Sequence, residues 1–159
     1  MTWRGSTSIR DRIFASLPYL LPLLYGLPFG ASLLSLFPLL GQLLFPLLLP
    51  VAVLYNLIPF AGLVVFFALL LLVVRNERII HFIRFNTMQA LLISIVLFLC
   101  QIIMGILANI SGLSLIDMVL NNTIFLGVLG VFGYAVFQCF RGRYAEIPTL
   151  SDAVYMQVR

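Results

Sequence analysis

Residues 13–74 contain no Asp, Glu, Lys, Arg or His. A soluble domain needs charge over its whole surface, so a gap of this length excludes one. Lysine is absent from the entire chain, and the net charge of +4 is carried by nine arginines. Those arginines fall in three separate clusters beside apolar stretches, not along one face. That placement fits membrane orientation and argues against a nucleic-acid partner. Histidine occurs once, as His81, and cysteine twice, as Cys100 and Cys139. Metal sites need several such ligands at set spacings, so no metal or cofactor is expected. The two cysteines sit at different depths of different spans, which argues against a disulfide and makes both small apolar core residues. The five acids, Asp11, Glu77, Asp117, Glu146 and Asp152, all lie in tails or loops. No intramembrane carboxylate is left for a proton relay, and no catalytic set is visible, so the chain reads as a non-enzyme.

Hydrophobic residues make up 63% of the chain, charged ones 9%, and the mean hydropathy is +1.17. As one helix, residues 13–74 would run roughly 93 Å, against a hydrocarbon core of about 30 Å. The run must fold back inside a bilayer. Four stretches have spanning length: Leu17 to Leu40, Val51 to Val74, Met88 to Ala108 and Thr123 to Phe140. With four spans, Arg4, Arg10 and Arg12, then Arg75, Arg78 and Arg84, then Arg141, Arg143 and Arg159 share one side. Only Asp117 is charged on the other. The positive-inside rule makes the arginine side cytoplasmic or its organellar equivalent. The expected protein is therefore a single all-α membrane domain: a cytoplasmic tail 1–12, four transmembrane helices within 13–140, and a second cytoplasmic tail 141–159. It is expected to start at its own Met1 and insert directly.

Seven of the eight prolines, Pro18 through Pro59, lie in the first half. Each removes a backbone donor, so the first two spans are expected to be kinked or broken. Gly41 to Pro50 then reads as a tight apolar turn at the interface or as a re-entrant segment. In Asn76 to Asn86, Arg75, Arg78, His81 and Arg84 recur every three residues among Ile79, Ile80, Phe82, Ile83 and Phe85. That pattern predicts an interfacial amphipathic helix before the third span, its basic residues in contact with headgroups or a partner. Ser111 to Asn122 is expected at the opposite interface. Tyr19, Tyr25, Tyr55, Tyr134, Tyr144 and Trp3 read as an interfacial aromatic belt.

In-span Gln42, Asn56, Gln89, Ser94, Gln101 and Gln138 admit two readings, lining an aqueous path or bonding between helices. Interhelical bonds of this kind contribute about 0.6–2 kcal/mol. Gly127, Gly130 and Gly133 present a small-residue stripe for close helix packing, internal or against another subunit.

The block VVRNERIIHFIRFNTMQALL, Val73 to Leu92, resembles the hallmark stretch of the Tic-twenty family. That family comprises small four-span subunits of the chloroplast inner-envelope protein import translocon and their cyanobacterial relatives. The opening RIFASLPYLLPLLYGLPFG, the proline pattern through FPLLGQLLFPLLLP, the YNLIPF segment and the tail YAEIPTLSDAV are similar in the same order. The motif positions are Arg84, Phe85, Asn86, Gln89 and Ala90. Ser94 departs from plant members, which tend to carry an acid shortly after the QA pair. Without a transit peptide, the chain resembles a cyanobacterial-type or plastid-encoded member. The resemblance implies a subunit of a protein translocation complex. Its expected partners are the lipid bilayer, other membrane subunits or further copies of itself, and a translocating polypeptide. The expected location is a cyanobacterial plasma or thylakoid membrane or a plastid inner envelope. Two alternatives from the residues alone are a small-solute channel or permease, and an accessory or assembly subunit of another complex.

Overall fold

A computed structural model describes residues 7–110, 112 and 114–158. Six helices account for most of these residues. α1 is Ile9–Leu36, α2 Pro38–Leu57, α3 Ala61–Val74, α4 His81–Leu107, α5 Ser114–Phe140 and α6 Leu150–Gln157. Among them α1, α2, α4 and α5 are long and apolar enough to cross a membrane.

α1 starts inside the expected polar tail because Ser8 and Asp11 form a reciprocal cap. The Asp11 amide donates to Ser8 Oγ (3.2 Å), and the Ser8 amide donates to the Asp11 carboxylate (2.8 Å). The helix then runs 28 residues, about 42 Å. It survives its prolines by tightening: Leu17–Tyr19 and Leu27–Gly30 are 3₁₀ turns with Pro18 and Pro28 near their starts. There the missing proline N–H costs no α-helical bond.

The expected turn or re-entrant segment at Gly41 to Pro50 is corrected: those residues lie within the continuous helix α2, with Pro46 and Pro50 inside it. The chain turns earlier, at Phe37, and breaks later, at Ile58–Phe60. Phe37 (φ −121°, ψ 75°) and Ile58 (φ −110°, ψ 120°) both precede a proline, and both have left the helical region. Proline's ring crowds the preceding residue out of helical geometry. Beyond Pro59, α3 starts from a left-handed Phe60 and widens into a π-helix over Leu69–Val74. The second crossing is thus Pro38 to Val74 in two pieces, longer than the expected Val51 to Val74.

The expected interfacial helix at Asn76 to Asn86 is also corrected. Residues 75–80 form turns, with Asn76 Oδ1 accepting the Arg78 amide (3.1 Å). His81 to Asn86 are the first turns of α4 itself. Period-three arginines make a stripe only if the helix begins before them, and it begins after Arg78. At the opposite end, residues 114–122 open α5 instead of forming a separate interfacial element, while Ser111 and Leu113 lie outside the described residues.

α1 lies between α4 and α5, which scarcely touch each other; α2 packs on α1, and α3 on α4. α5 approaches α1 closely along Gly26 and Gly30. A Cβ on Gly26 would lie 2.7 Å from Val128 Cγ1, and one on Gly30 would lie 2.6 Å from the Phe125 ring. Small residues four apart let a neighbouring helix enter, and in lipid that van der Waals contact is the principal attraction. Phe125 and Val128 fill the space and are buried.

Contacts fix the two ends of the bundle. At one end Arg12 donates to the Phe140 carbonyl (3.0 Å), and Arg84 Nε donates to the Val74 carbonyl (2.8 Å). At the other, Ser32 Oγ donates to Asn122 Oδ1 (2.6 Å). The described arginines of all three clusters therefore gather at one end. The tail 141–158 does not hang free: it folds back so that α6 packs on α4.

Candidate functional site

The arginine-end half of α4 carries the densest polar cluster in the fold, and it is buried. Arg84, Asn86, Thr87, Gln89 and Ser94 are each no more than 9% exposed. Asn86 and Gln89 lie three apart on α4 and so share the face turned towards α1 and the tail. The Tyr19 hydroxyl, from α1, donates to Asn86 Oδ1 (3.0 Å) and accepts from Gln89 Nε2 (3.2 Å). Cys139 of α5 donates its thiol to the same Asn86 oxygen (3.4 Å), and Asn86 Nδ2 donates to the Phe82 carbonyl (2.8 Å). Gln89 Nε2 also donates to the Ala145 carbonyl in the tail. Ser151 Oγ donates to Gln89 Oε1 (3.3 Å) and accepts the Ile147 amide (2.7 Å). One node thus ties together α1, α4, α5 and the tail.

An aromatic lid closes it. Tyr144 packs edge-on against Phe82 and Phe85, with ring centroids 5.3 and 5.0 Å apart, and Tyr155 lies 4.8 Å from Phe85. His81 Nδ1 is 3.1 Å from the Tyr144 hydroxyl, and Nε2 is 3.3 Å from the Val158 carbonyl. The motif segment and the tail segment, some sixty residues apart in sequence, are two halves of one contact.

This geometry redistributes the basic residues expected at headgroups. Arg75 and Arg78 are exposed. His81 serves the tail, and Arg84 is buried against Val74. Arg84, Phe85, Asn86, Gln89 and Ala90, the family-like positions, all lie in or beside the node. Tyr19, expected in the interfacial belt, is fully buried there; Trp3 lies outside the described residues. Cys139 is a buried core residue as expected and also a hydrogen-bond donor, whereas Cys100 is half-buried.

Two of the in-span amides, Gln89 and Gln101, bond to other elements, whereas Gln138 Nε2 donates to Tyr134 on its own helix (3.3 Å) and its buried Oε1 has no partner among the described residues. Gln89 holds the node, and Gln101 Nε2 donates to the Tyr25 carbonyl (2.9 Å) across to α1. Asn56 and Ser94 bond to carbonyls four residues back on their own helices. Gln42 is exposed on α2.

Gly127, Gly130 and Gly133 have open space where a Cβ would stand, so no part of the described chain packs on them. The glycine contact between α1 and α5 is made by Gly26 and Gly30. Its signal was present in the sequence as GLPFG, a small residue at each end of a four-residue step.

These features define a polytopic helical membrane protein whose first span, third span and tail are joined by a saturated polar node. A family profile described as "Chloroplast import apparatus Tic20-like" matches residues 8–154. The chain is 44% identical over 151 residues to a "Tic20 family protein" of Synechocystis, covering 94% of each chain. It is 35% identical to "Tic20 family protein Ycf60" of the red alga Gracilaria tenuistipitata, over 95% of this chain and 76% of that one. It is 32% identical to "Protein TIC 20-II, chloroplastic" of Arabidopsis, over 99% and 78%. The chain belongs to the Tic20 (Tic-twenty) family.

Proposed function

We propose that this protein is a membrane-embedded subunit of a protein translocation complex, with both termini and the node on the cytoplasmic or stromal side. The observation that carries the reading is the match to an import-apparatus family over residues 8–154. The geometry is in keeping with a subunit. The node's amides are occupied by protein partners, and a bundle this thin encloses a polypeptide path only with further copies or partners. Gly127, Gly130 and Gly133, exposed and unpacked, offer the surface for such a neighbour. The commitment of Gln89 and Gln101 to contacts between elements weighs against a solute permease.

The test is purification from native membranes in mild detergent with a photocrosslinking residue at Gly130. Crosslinks to protein-translocating components, and to a preprotein arrested in transit, are the expected outcome. A partner set belonging wholly to another complex would sink the translocation reading. Gly130→Leu should leave the protein at its normal membrane level and remove it from its complex, seen by native-gel migration. Loss of the protein itself would contradict a purely external role for this face.

A further inference from the structure

An apolar groove, about 390 Å³, opens on the side of the bundle near the arginine end. Phe14, Leu17, Leu21, Leu54, Leu69 and Ile83 are among its walls. The break at Pro59 is what shapes it. α2 and α3 are separate pieces, and side chains of both, Leu54 and Leu69, line the groove opposite α1.

Two features separate this groove from ordinary lipid-facing surface. First, three exposed arginines sit at its arginine-end rim. Arg10 is one turn before Phe14 on the same face of α1, since positions 10, 14, 17 and 21 form one helical stripe. Arg75 and Arg78 lie in the short connection between the lining residues Val73 and Ile79. Among the described residues none of these three side chains has a hydrogen-bonding or ionic partner, although Glu77 shares the connection. Second, Thr87, fully buried, lines the groove, and its hydroxyl has no hydrogen-bond partner. A buried hydroxyl without a partner carries a desolvation cost that a ligand acceptor removes.

We infer that this groove is a binding site for an anionic glycerolipid. One acyl chain lies along Leu17, Leu54 and Leu69, an ester carbonyl accepts from Thr87, and the headgroup phosphate is held by Arg10, Arg75 and Arg78. An acyl chain supplies the apolar length, an ester the acceptor just below the headgroup, and the anion the charge that the rim complements. The site does not depend on the translocation reading.

The experiment uses the full chain in nanodiscs of equal parts phosphatidylglycerol and phosphatidylcholine. The lipids retained through detergent exchange are counted by native mass spectrometry. Wild type should retain phosphatidylglycerol over phosphatidylcholine, and R75Q/R78Q should lower that preference by about thirtyfold, the effect of removing two surface arginines. Leu54→Trp, which fills the groove, should abolish retention with the arginines intact. Thr87→Val should weaken retention several-fold without changing headgroup preference. Arg143, exposed at the same end but off the groove, is the control, and R143Q should behave as wild type. Equal retention of the two lipids by wild type, an R143Q loss matching that of R75Q/R78Q, or a bound peptide in place of lipid would each overturn the proposal.

Discussion

Replacing Gln89 by leucine preserves most of its volume, takes one bond each from the Tyr19 hydroxyl and Ser151 Oγ, and strands the Ala145 carbonyl. Stranded buried groups cost about 1–3 kcal/mol, more than the roughly 0.6 kcal/mol of an average interhelical bond in lipid. Gln89→Leu should therefore lower the unfolding temperature in detergent and make residues 141–158 sensitive to protease. A tail as protected as in wild type would show that the aromatic lid alone holds it. The glycines give a second residue-scale contrast. Gly30→Ala sets a methyl against the rigid Phe125 ring and should destabilise by about 1–3 kcal/mol. Gly130→Ala, facing open space, should be neutral or slightly stabilising for the isolated chain through better helix propensity. Equal effects in a thermal unfolding series would contradict the assigned packing. At this scale the motif residues were legible as a motif, but their burial was not. Arginines at a period of three looked like a solvated stripe, and nothing in the local sequence reveals that the tail supplies the missing partners.

At the scale of elements, proline content announced broken helices without saying which proline breaks them. Pro46 and Pro50 stay inside α2, whereas Pro38 opens a helix and Pro59 separates two. A proline's effect depends on whether the residue before it can stay helical, which tertiary packing decides. The break is held by Phe60 at φ +55°, with the amides of Leu63 and Val64 donating to its carbonyl. Its side chain is 81% exposed, so little packing is lost with it. Left-handed geometry costs a non-glycine residue about 1–2 kcal/mol, partly offset for glycine by its unfolded-state entropy. Phe60→Gly should thus be at least as stable as wild type. Phe60→Val, β-branched at a positive φ, should be less stable by about 1 kcal/mol. The reverse order in chemical denaturation would mean that Phe60 is fixed by its side chain and not by the backbone.

For the whole molecule, the span count and the gathering of arginines at one end were readable from charge alone, because lipid penalises charge wherever it is not at an interface. The fold adds which positions report on sidedness. Asn86 and Ser151 are buried in the node and its tail contact, so reagents would miss them for reasons unrelated to topology. Ser8, Glu77 and Gln157 are exposed at the arginine end, and Asn109 and Ser114 at the opposite end. In a background with Cys100 and Cys139 replaced by serine and alanine, single cysteines at Asn109 and Ser114 should react with an impermeant thiol reagent added outside intact cells. Those at Ser8, Glu77 and Gln157 should react only after the membrane is opened. Because Glu77 joins the second crossing to the third, it carries the decisive comparison. Labelling of Glu77 and Gln157 from outside, with Ser8 protected and Asn109 and Ser114 unreactive, would mean that Pro38–Val74 does not return the chain to its starting side. The break at Ile58–Phe60 would then separate two crossings, not two pieces of one. Labelling of all three arginine-end sites from outside would instead invert the whole molecule and overrule the orientation expected from the arginine bias.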